Sequence, residues 1–175
     1  MTAALIFGAI LIVGYLLEKA KGGGGGIIQA SCVSCTGATG GCMGNLSMKQ
    51  IADYARNAGF GGNDLATAVA IAMAESSGNP NAVGDKDLAP TRGPSEGLWQ
   101  INVGSEIHPE WNDGNNFDPQ TNANRAYALY SRRGGSFEDW STYTQTRPGT
   151  NVAYYVKYLG QAVAAAGISC CTTCG

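Results

Sequence analysis

The chain has 175 residues, of which 44% are hydrophobic and 14% charged, which is enough for one domain with a real core and argues against wholesale disorder. The formal net charge is −2, and the longest basic run is the pair Arg132-Arg133. The pattern of a nucleic-acid-binding protein is therefore missing, and we expect no nucleic-acid partner. The six cysteines lie only near the two ends, which argues against a cysteine-nucleophile enzyme.

Residues 1–21 are predicted to form an apolar N-terminal helix. The run from Ala3 to Leu17 carries no charge, and as a helix it would be about 22 Å long, short of the roughly 30 Å hydrocarbon core of a bilayer. A short membrane anchor, a signal sequence and an assembly helix buried among other chains all remain open. No Lys or Arg precedes the run, which disfavours a signal sequence. Lys19 and Lys21 follow it, so a membrane anchor would leave the rest of the chain on the cytoplasmic side.

Residues 22–44 form a Gly/Cys-rich linker, and residues 169–175 form a Cys-rich tail. An even number of cysteines at the two ends of a compact domain favours disulfides, although the pairing stays open. A zinc site is the alternative, but the gap between the two CxxC pairs is far longer than in ordinary zinc ribbons. We therefore predict structural disulfides, no metal and no cofactor. The zinc alternative would use Cys32, Cys35, Cys171 and Cys174. The disulfide candidates are Cys32, Cys35, Cys42, Cys170, Cys171 and Cys174.

A folded domain is predicted over residues 45–168, and its first two helices have clear boundaries. Ser47, with Gln50 three residues later, is a capping box, and the helix that it opens should end at Gly59. Asn63 is the expected cap of a second helix over residues 64–76. This helix has no charge between Asp64 and Glu75. A helix that is apolar on all sides is usually buried on all sides.

The rest of the domain alternates between turns and helices. Short strands are predicted around residues 82–83 and 98–101. Asp118-Pro119 should cap a helix that stops at Gly134. A short helix is expected over residues 137–142, and a last helix over residues 151–166. The predicted fold class is α+β, mainly α.

Glu75 is the strongest candidate for a catalytic residue, because it ends a helix that otherwise suits only a core. Burial of a carboxylate without a partner is costly, and the C-terminal end of a helix is its negative end. Both effects disfavour the ionised form of Glu75 and therefore raise its pKa. A carboxyl that keeps its proton near neutral pH can protonate a glycosidic oxygen. The alternative is a solvated glutamate at a helix end, which is the commonest fate of this residue type.

The segment Ala74-Glu75-Ser76-Ser77-Gly78-Asn79-Pro80, followed by Gly97-Leu98-Trp99-Gln100-Ile101-Asn102, resembles lytic transglycosylases and goose-type lysozymes. The resemblance continues in Phe117-Asp118-Pro119 and ends near Trp140 to Tyr143. It covers roughly residues 45 to 167 and implies a lysozyme-like fold that cleaves peptidoglycan. The sequence departs from the family pattern at Pro94-Ser95-Glu96, at Trp99, where Met is usual, and at Thr144-Gln145.

The resemblance implies a role for each matching position. Glu75 would protonate the oxygen between N-acetylmuramic acid and N-acetylglucosamine. Gln100 would bind a sugar near the cleavage point, Tyr143 would line the cleft, and Ser95 and Asn102 are further candidates for substrate binding.

Asp85 is the best candidate for a second carboxylate, although a turn-forming role beside Gly84 is the stronger expectation. The only histidine, His108, is expected to be a surface residue. The product, 1,6-anhydro or hydrolytic, stays open.

Three biological settings remain. A phage virion or tail component that opens the cell wall from the host periplasm fits best, with its apolar N-terminal helix binding other virion proteins. The second is a structural plug or tail-tip protein whose lysozyme-like domain binds glycan without cutting it. The third is a bacterial envelope protein with a membrane anchor that acts in wall remodelling.

Overall fold

A computed structural model describes residues 44–88, 93–104 and 108–168 of the chain. The predicted apolar helix, almost all of the Gly/Cys-rich linker, all six cysteines and the Cys-rich tail lie outside these residues, so the predictions for them stay predictions. None of the helices within the described ranges is long and apolar enough to cross a membrane.

Helix α1 (Met48–Ala58) begins at the predicted capping box. The Ser47 side chain accepts the backbone N–H of Gln50, and the Gln50 side chain accepts the backbone N–H of Ser47. The helix stops at Gly59, which has φ of 121°. A Cβ atom there would lie 2.8 Å from the ring of Tyr127, so glycine suits this position both for its conformation and for the space that it leaves.

Helix α2 (Gly62–Ser76) is the buried centre of the domain and has almost no exposed apolar surface. Its cap is Gly61, with no side-chain hydrogen bond, so the prediction of Asn63 as the cap is wrong. The connection from α1 is only three residues long, and the backbone N–H of Leu65 already bonds to the carbonyl of Gly61 at 3.2 Å. Asn63 therefore lies inside the first helical turn.

Three two-residue strands form the β lobe: β1 (Val83–Gly84), β2 (Ser95–Glu96) and β3 (Ile101–Asn102). They are antiparallel and ordered β1-β2-β3, with Gly84 opposite Ser95 and Ser95 opposite Asn102. The predicted strand over residues 98–101 is wrong except at its last residue.

Residues 98–100 form the turn between β2 and β3. Gly97 and Gln100, with φ of 79° and 50°, bend the chain through the left-handed region. Leu98 and Trp99 then point into the core, where both are buried.

Helix α3 (Pro119–Arg132) begins as predicted, because the Asp118 side chain accepts the N–H of Thr121 at 2.8 Å. It also ends before Gly134, as predicted. Helix α4 (Ser141–Thr144) is shorter and later than predicted, and α5 (Val156–Ala165) starts five residues after the predicted position. Residues 146–153 form a turn instead, with Arg147 N–H bonded to the Val152 carbonyl at 3.0 Å.

The core lies around α2, which packs against α1, α4 and α5, while α1 packs against α3. Asn122 of α3 is fully buried and ties the β lobe to this helical core. Its amide donates to the Glu96 carbonyl at 3.0 Å and accepts the N–H of Trp99 at 2.8 Å. The fold is therefore mainly α-helical with a small β-sheet, which confirms the predicted fold class.

Candidate active site

Glu75 is the last residue but one of α2 and is half-buried. Its carboxylate accepts a 2.6 Å hydrogen bond from the Thr142 hydroxyl, which reaches it from α4. Within residues 44–88, 93–104 and 108–168, no Lys, Arg or His forms an ion pair with Glu75. Among these residues, the Glu75 carboxyl group therefore has the Thr142 hydroxyl as its partner and no neutralising cation.

Burial raises the pKa of Glu75 above its ordinary value. The hydrogen bonds from Thr142 lower the pKa but do not cancel the effect of burial, and the negative charge of Asp85 raises it further. The position at the C-terminal end of α2 acts in the same direction, since a helix is negative at that end. The environment thus favours the protonated acid, as the sequence predicted.

Two indole hydrogen bonds place α4 beside the end of α2. The Trp99 indole donates to the Ala68 carbonyl of α2 at 2.9 Å, and the Trp140 indole donates to the Trp99 carbonyl at 2.8 Å. Trp140 directly precedes α4 and is buried. These contacts fix the start of α4 and bring Thr142 to Glu75. They also give Trp99 a hydrogen bond that the Met usual at this position could not donate.

The Ser-Ser-Gly sequence after Glu75 stops the helix at this point. The buried hydroxyl of Ser76 donates to the Ala72 carbonyl at 2.9 Å and accepts the N–H of Gly78 at 3.2 Å. Ser77 adopts a left-handed conformation with φ of 53° and closes the last turn through its N–H to Met73. The helix therefore ends at Ser76, one residue after Glu75, and the carboxyl group lies at the helix end.

Asp85 and Ser95 lie together in the β lobe. The Ser95 hydroxyl, which is buried, donates to the Asp85 carboxylate at 2.8 Å. Asp85 itself is exposed and has φ of 54°, an unusual conformation that Asp tolerates better than most residues. The negative charge of Asp85 raises the pKa of Glu75, so the two carboxyl groups are electrostatically coupled.

Gln100 and Asn102 use their amide N–H groups within the β lobe. The Gln100 amide donates to the carbonyls of Ala82 at 3.2 Å and Gly97 at 2.9 Å, and the Asn102 amide donates to the Gly93 carbonyl at 3.2 Å. Among the described residues neither amide oxygen accepts a hydrogen bond, and the Gln100 oxygen lies against Gly84. Neither side chain bonds to Glu75 in the described part of the chain.

The Tyr143 ring packs in an aromatic cluster. Its centroid lies 5.1 Å from that of Tyr155, nearly stacked, and 5.7 Å from that of Phe137. Its neighbour Thr142 makes the contact with Glu75, and the sequence analysis missed that residue. The segment Trp140 to Tyr143 was identified through its resemblance to the family, but the resemblance drew attention to its Tyr alone.

The described residues contain no group of three or more His, Cys, Asp and Glu side chains that could hold a metal ion.

The architecture is that of a lysozyme-like domain: a buried helix ending in an acid, a small β lobe and a second helical segment facing the acid. A family model described as a lysozyme-like domain matches residues 52–142, more than half of the chain, and this chain belongs to that family. The match includes Glu75 and Thr142. Members of this family are generally peptidoglycan glycosidases or lytic transglycosylases. No curated protein and no solved structure matches the chain.

Proposed function

We propose that this protein cleaves the glycosidic bond between N-acetylmuramic acid and N-acetylglucosamine in peptidoglycan, with Glu75 as the general acid. The observation that carries the proposal is the state of this carboxyl group. It lies at the end of a helix that has no charge between Asp64 and Glu75, it is half-buried with no ion pair to a described Lys, Arg or His, and burial raises its pKa.

Proton transfer from Glu75 to the bridging oxygen lets the N-acetylglucosamine side leave while positive charge develops on the muramic ring. The carboxylate that remains keeps the hydrogen bond from Thr142. It can then act as a base on the muramic O6 hydroxyl, which closes a 1,6-anhydro ring, or on a water molecule, which gives a reducing end. The route to the 1,6-anhydro ring needs no catalytic carboxyl group besides Glu75.

Hydrolysis with inversion would need a second carboxylate about 6.5–9.5 Å from the acid to hold a water molecule. Asp85 is the candidate for that role, because its charge raises the pKa of Glu75 and Ser95 orients its carboxylate. The amide oxygens of Gln100 and Asn102 and the edge of Tyr143 are the proposed substrate contacts. The buried Ser95 hydroxyl would act on the substrate through Asp85, which it orients.

The test is digestion of purified peptidoglycan by the full chain, with products identified by mass spectrometry. Glu75→Gln removes the proton donor, and we expect a rate loss of about 100-fold to 10,000-fold. Glu138→Gln makes the same change at an exposed carboxylate and should keep the wild-type rate. Anhydro ends would identify a lytic transglycosylase, and reducing ends a hydrolase. Equal inertness of all three folded proteins would contradict the proposal and favour a non-catalytic glycan-binding plug.

For the biological setting, we propose a phage virion or tail component that acts in the host periplasm. The apolar run over residues 3–17 and the glycine run over residues 22–26 support this, because they suit attachment of a cell-wall enzyme to a larger particle. A bacterial envelope protein is the alternative. Detection of the chain in purified particles would support the first, and its recovery only in the envelope fraction of uninfected cells would support the second.

A further inference from the structure

A second concave site lies between strand β3 and the C-terminal end of α3. It is a pocket of about 180 Å³, lined by Ile101 and Asn102 on one side and by Leu129 and Arg132 on the other. Glu75 is not among the residues that line it. The pocket is therefore distinct from the carboxyl group that carries the proposed chemistry, although β3 borders it.

The walls of this pocket are held in place by packing and hydrogen bonds. The His108 ring stacks on Trp111 with centroids 3.8 Å apart and planes 7° from parallel. The Arg125 guanidinium also lies against Trp111, 5.6 Å from the ring centroid. Trp140, a third aromatic wall, is anchored by its bond to the carbonyl of Trp99. Such a shape needs little rearrangement to receive a ligand.

The charged side chains that line the pocket are Arg132 and Asp139. Asp139 lines it and is the shared partner of two arginines, with Arg133 at 2.6 Å and Arg132 at 3.3 Å. The Asp139 carboxylate is 17% exposed and lies closer to Arg133 than to Arg132. Arg132 is 37% exposed, and its side chain lines the pocket. Arg132 is therefore the more weakly paired of the two guanidinium groups and the one that borders the pocket.

A guanidinium that is partly exposed and weakly paired is suited to bind a carboxylate through charge-assisted hydrogen bonds. Pockets that enclose whole drug-sized ligands are commonly about 300–1,000 Å³, so this one fits a small group better than a disaccharide. The groups that combine a free carboxylate with a short chain in peptidoglycan are the amino acids of the stem peptide.

We propose that this pocket binds a carboxylate of the stem peptide attached to the muramic acid, with Arg132 as its main contact. The inference rests on the proposed function and names the part of the substrate that lies outside the glycan strand. Gln100 and Asn102 border the pocket and are also proposed sugar contacts, so a glycan held there places its peptide branch beside Arg132.

The test compares Arg132→Gln with Arg133→Gln in the full chain. Both changes remove one positive charge from the same partner, Asp139, but only Arg132 lines the pocket. Each protein is given intact peptidoglycan and glycan strands whose peptides an amidase has removed. We expect Arg132→Gln to lower kcat/KM roughly tenfold on intact peptidoglycan, the size of one lost charge-assisted hydrogen bond. It should leave the rate on stripped strands unchanged, and Arg133→Gln should change neither.

An equal loss on both substrates, an equal loss in the two variants, or no loss would each overturn the proposal. If the wild-type protein cleaves neither substrate, that result contradicts the proposed function alone. The pocket is then tested by NMR titration of the wild-type protein with the dipeptide L-Ala-D-Glu and with the same dipeptide amidated at both carboxyl groups. Shifts at Arg132 for the acid but not for the amide would support the carboxylate site. Equal shifts for the two compounds, or no shifts, would overturn the proposal. This measurement uses only the wild-type protein, so it does not depend on the folding of any variant.

Discussion

The Thr142 hydroxyl donates a 2.6 Å hydrogen bond to the Glu75 carboxylate, from a short helix that is distant in sequence. This bond stabilises the ionised form of Glu75 and opposes the effect of burial on its pKa. Thr142 is therefore a positioning residue that also limits how strongly the acid holds its proton.

Thr142→Val should raise the pKa of Glu75 further, because valine keeps the shape of the side chain but donates no hydrogen bond. The alkaline limb of the pH profile of kcat/KM reports loss of the acid form, so it should move to higher pH. Thr142→Ser keeps the hydroxyl and should restore the wild-type profile. An alkaline limb that stays in place or moves to lower pH in Thr142→Val would show that the bond does not act on Glu75 in this way.

Glu75→Gln should make the protein more stable at about pH 7. Burial raises the pKa of Glu75 in the folded state above the ordinary value of 4.5, so the folded protein binds this proton more tightly than the unfolded chain. The free energy of unfolding therefore falls as pH rises from about 4.5 through the folded pKa, and then stays at the lower level. The advantage of the Gln variant should shrink as the pH is lowered toward 4.5.

Thermal melts of the wild-type protein and Glu75→Gln across this pH range would measure the difference. Glu138→Gln, at an exposed position, is the control and should change the melting temperature little. A Gln variant that is less stable than the wild type at neutral pH would mean that the ionised carboxylate contributes favourable contacts.

Gly97→Ala should destabilise the β lobe more than its backbone conformation alone explains. A Cβ atom at Gly97 would collide with the carbonyl of Asn116 and the amide of Asn122. Gly114 is a matched control, since its φ of 75° is close to the 79° of Gly97 but no atom lies within 4 Å of its Cβ position.

The left-handed conformation alone costs alanine about 1–2 kcal/mol, and we expect that loss at Gly114→Ala in denaturant unfolding. Gly97→Ala should lose roughly 2 kcal/mol more, because its neighbours are buried and have little room to move. Equal losses in the two variants would show that the β lobe can shift away from α3.

Trp140→Phe removes the hydrogen bond to the Trp99 carbonyl but keeps most of the aromatic packing. The carbonyl left without a donor is buried, so we expect a loss of about 1–3 kcal/mol in the free energy of unfolding. The start of α4 should also loosen, and kcat should fall because Thr142 is no longer fixed at Glu75. A destabilised variant with wild-type kcat would separate the stability of this contact from the geometry of the site.

The elements that the sequence predicted well are those in which a local signal decides the structure. The capping box at Ser47, the cap at Asp118 and the acid at the end of an apolar helix each depend on a few adjacent residues. The chemistry of such positions is close to independent of the rest of the fold. Burial is the main cause of the raised pKa of Glu75, and the apolar character of its helix on all sides predicted that burial.

The predictions that were wrong depend on contacts between distant segments. Residues 98–100 have the apolar side chains of a strand, but Asn122 of α3 binds the Trp99 N–H and holds them as a turn. Thr142 could not be found from its surroundings in sequence, because its partner lies 67 residues away. The start of α5 was misplaced because a bridge between Thr146 and Ala153 closes a turn that helical periodicity does not reveal.

The most direct test of the central claim is a ¹³C NMR titration of the Glu75 carboxyl group in the wild-type protein, assigned by the signal that disappears in Glu75→Gln. We expect this group to keep its proton to a pH above 4.5, the ordinary pKa of glutamic acid. A carboxyl that titrates at or below 4.5 would contradict it, since Glu75 would then hold no proton to donate near neutral pH.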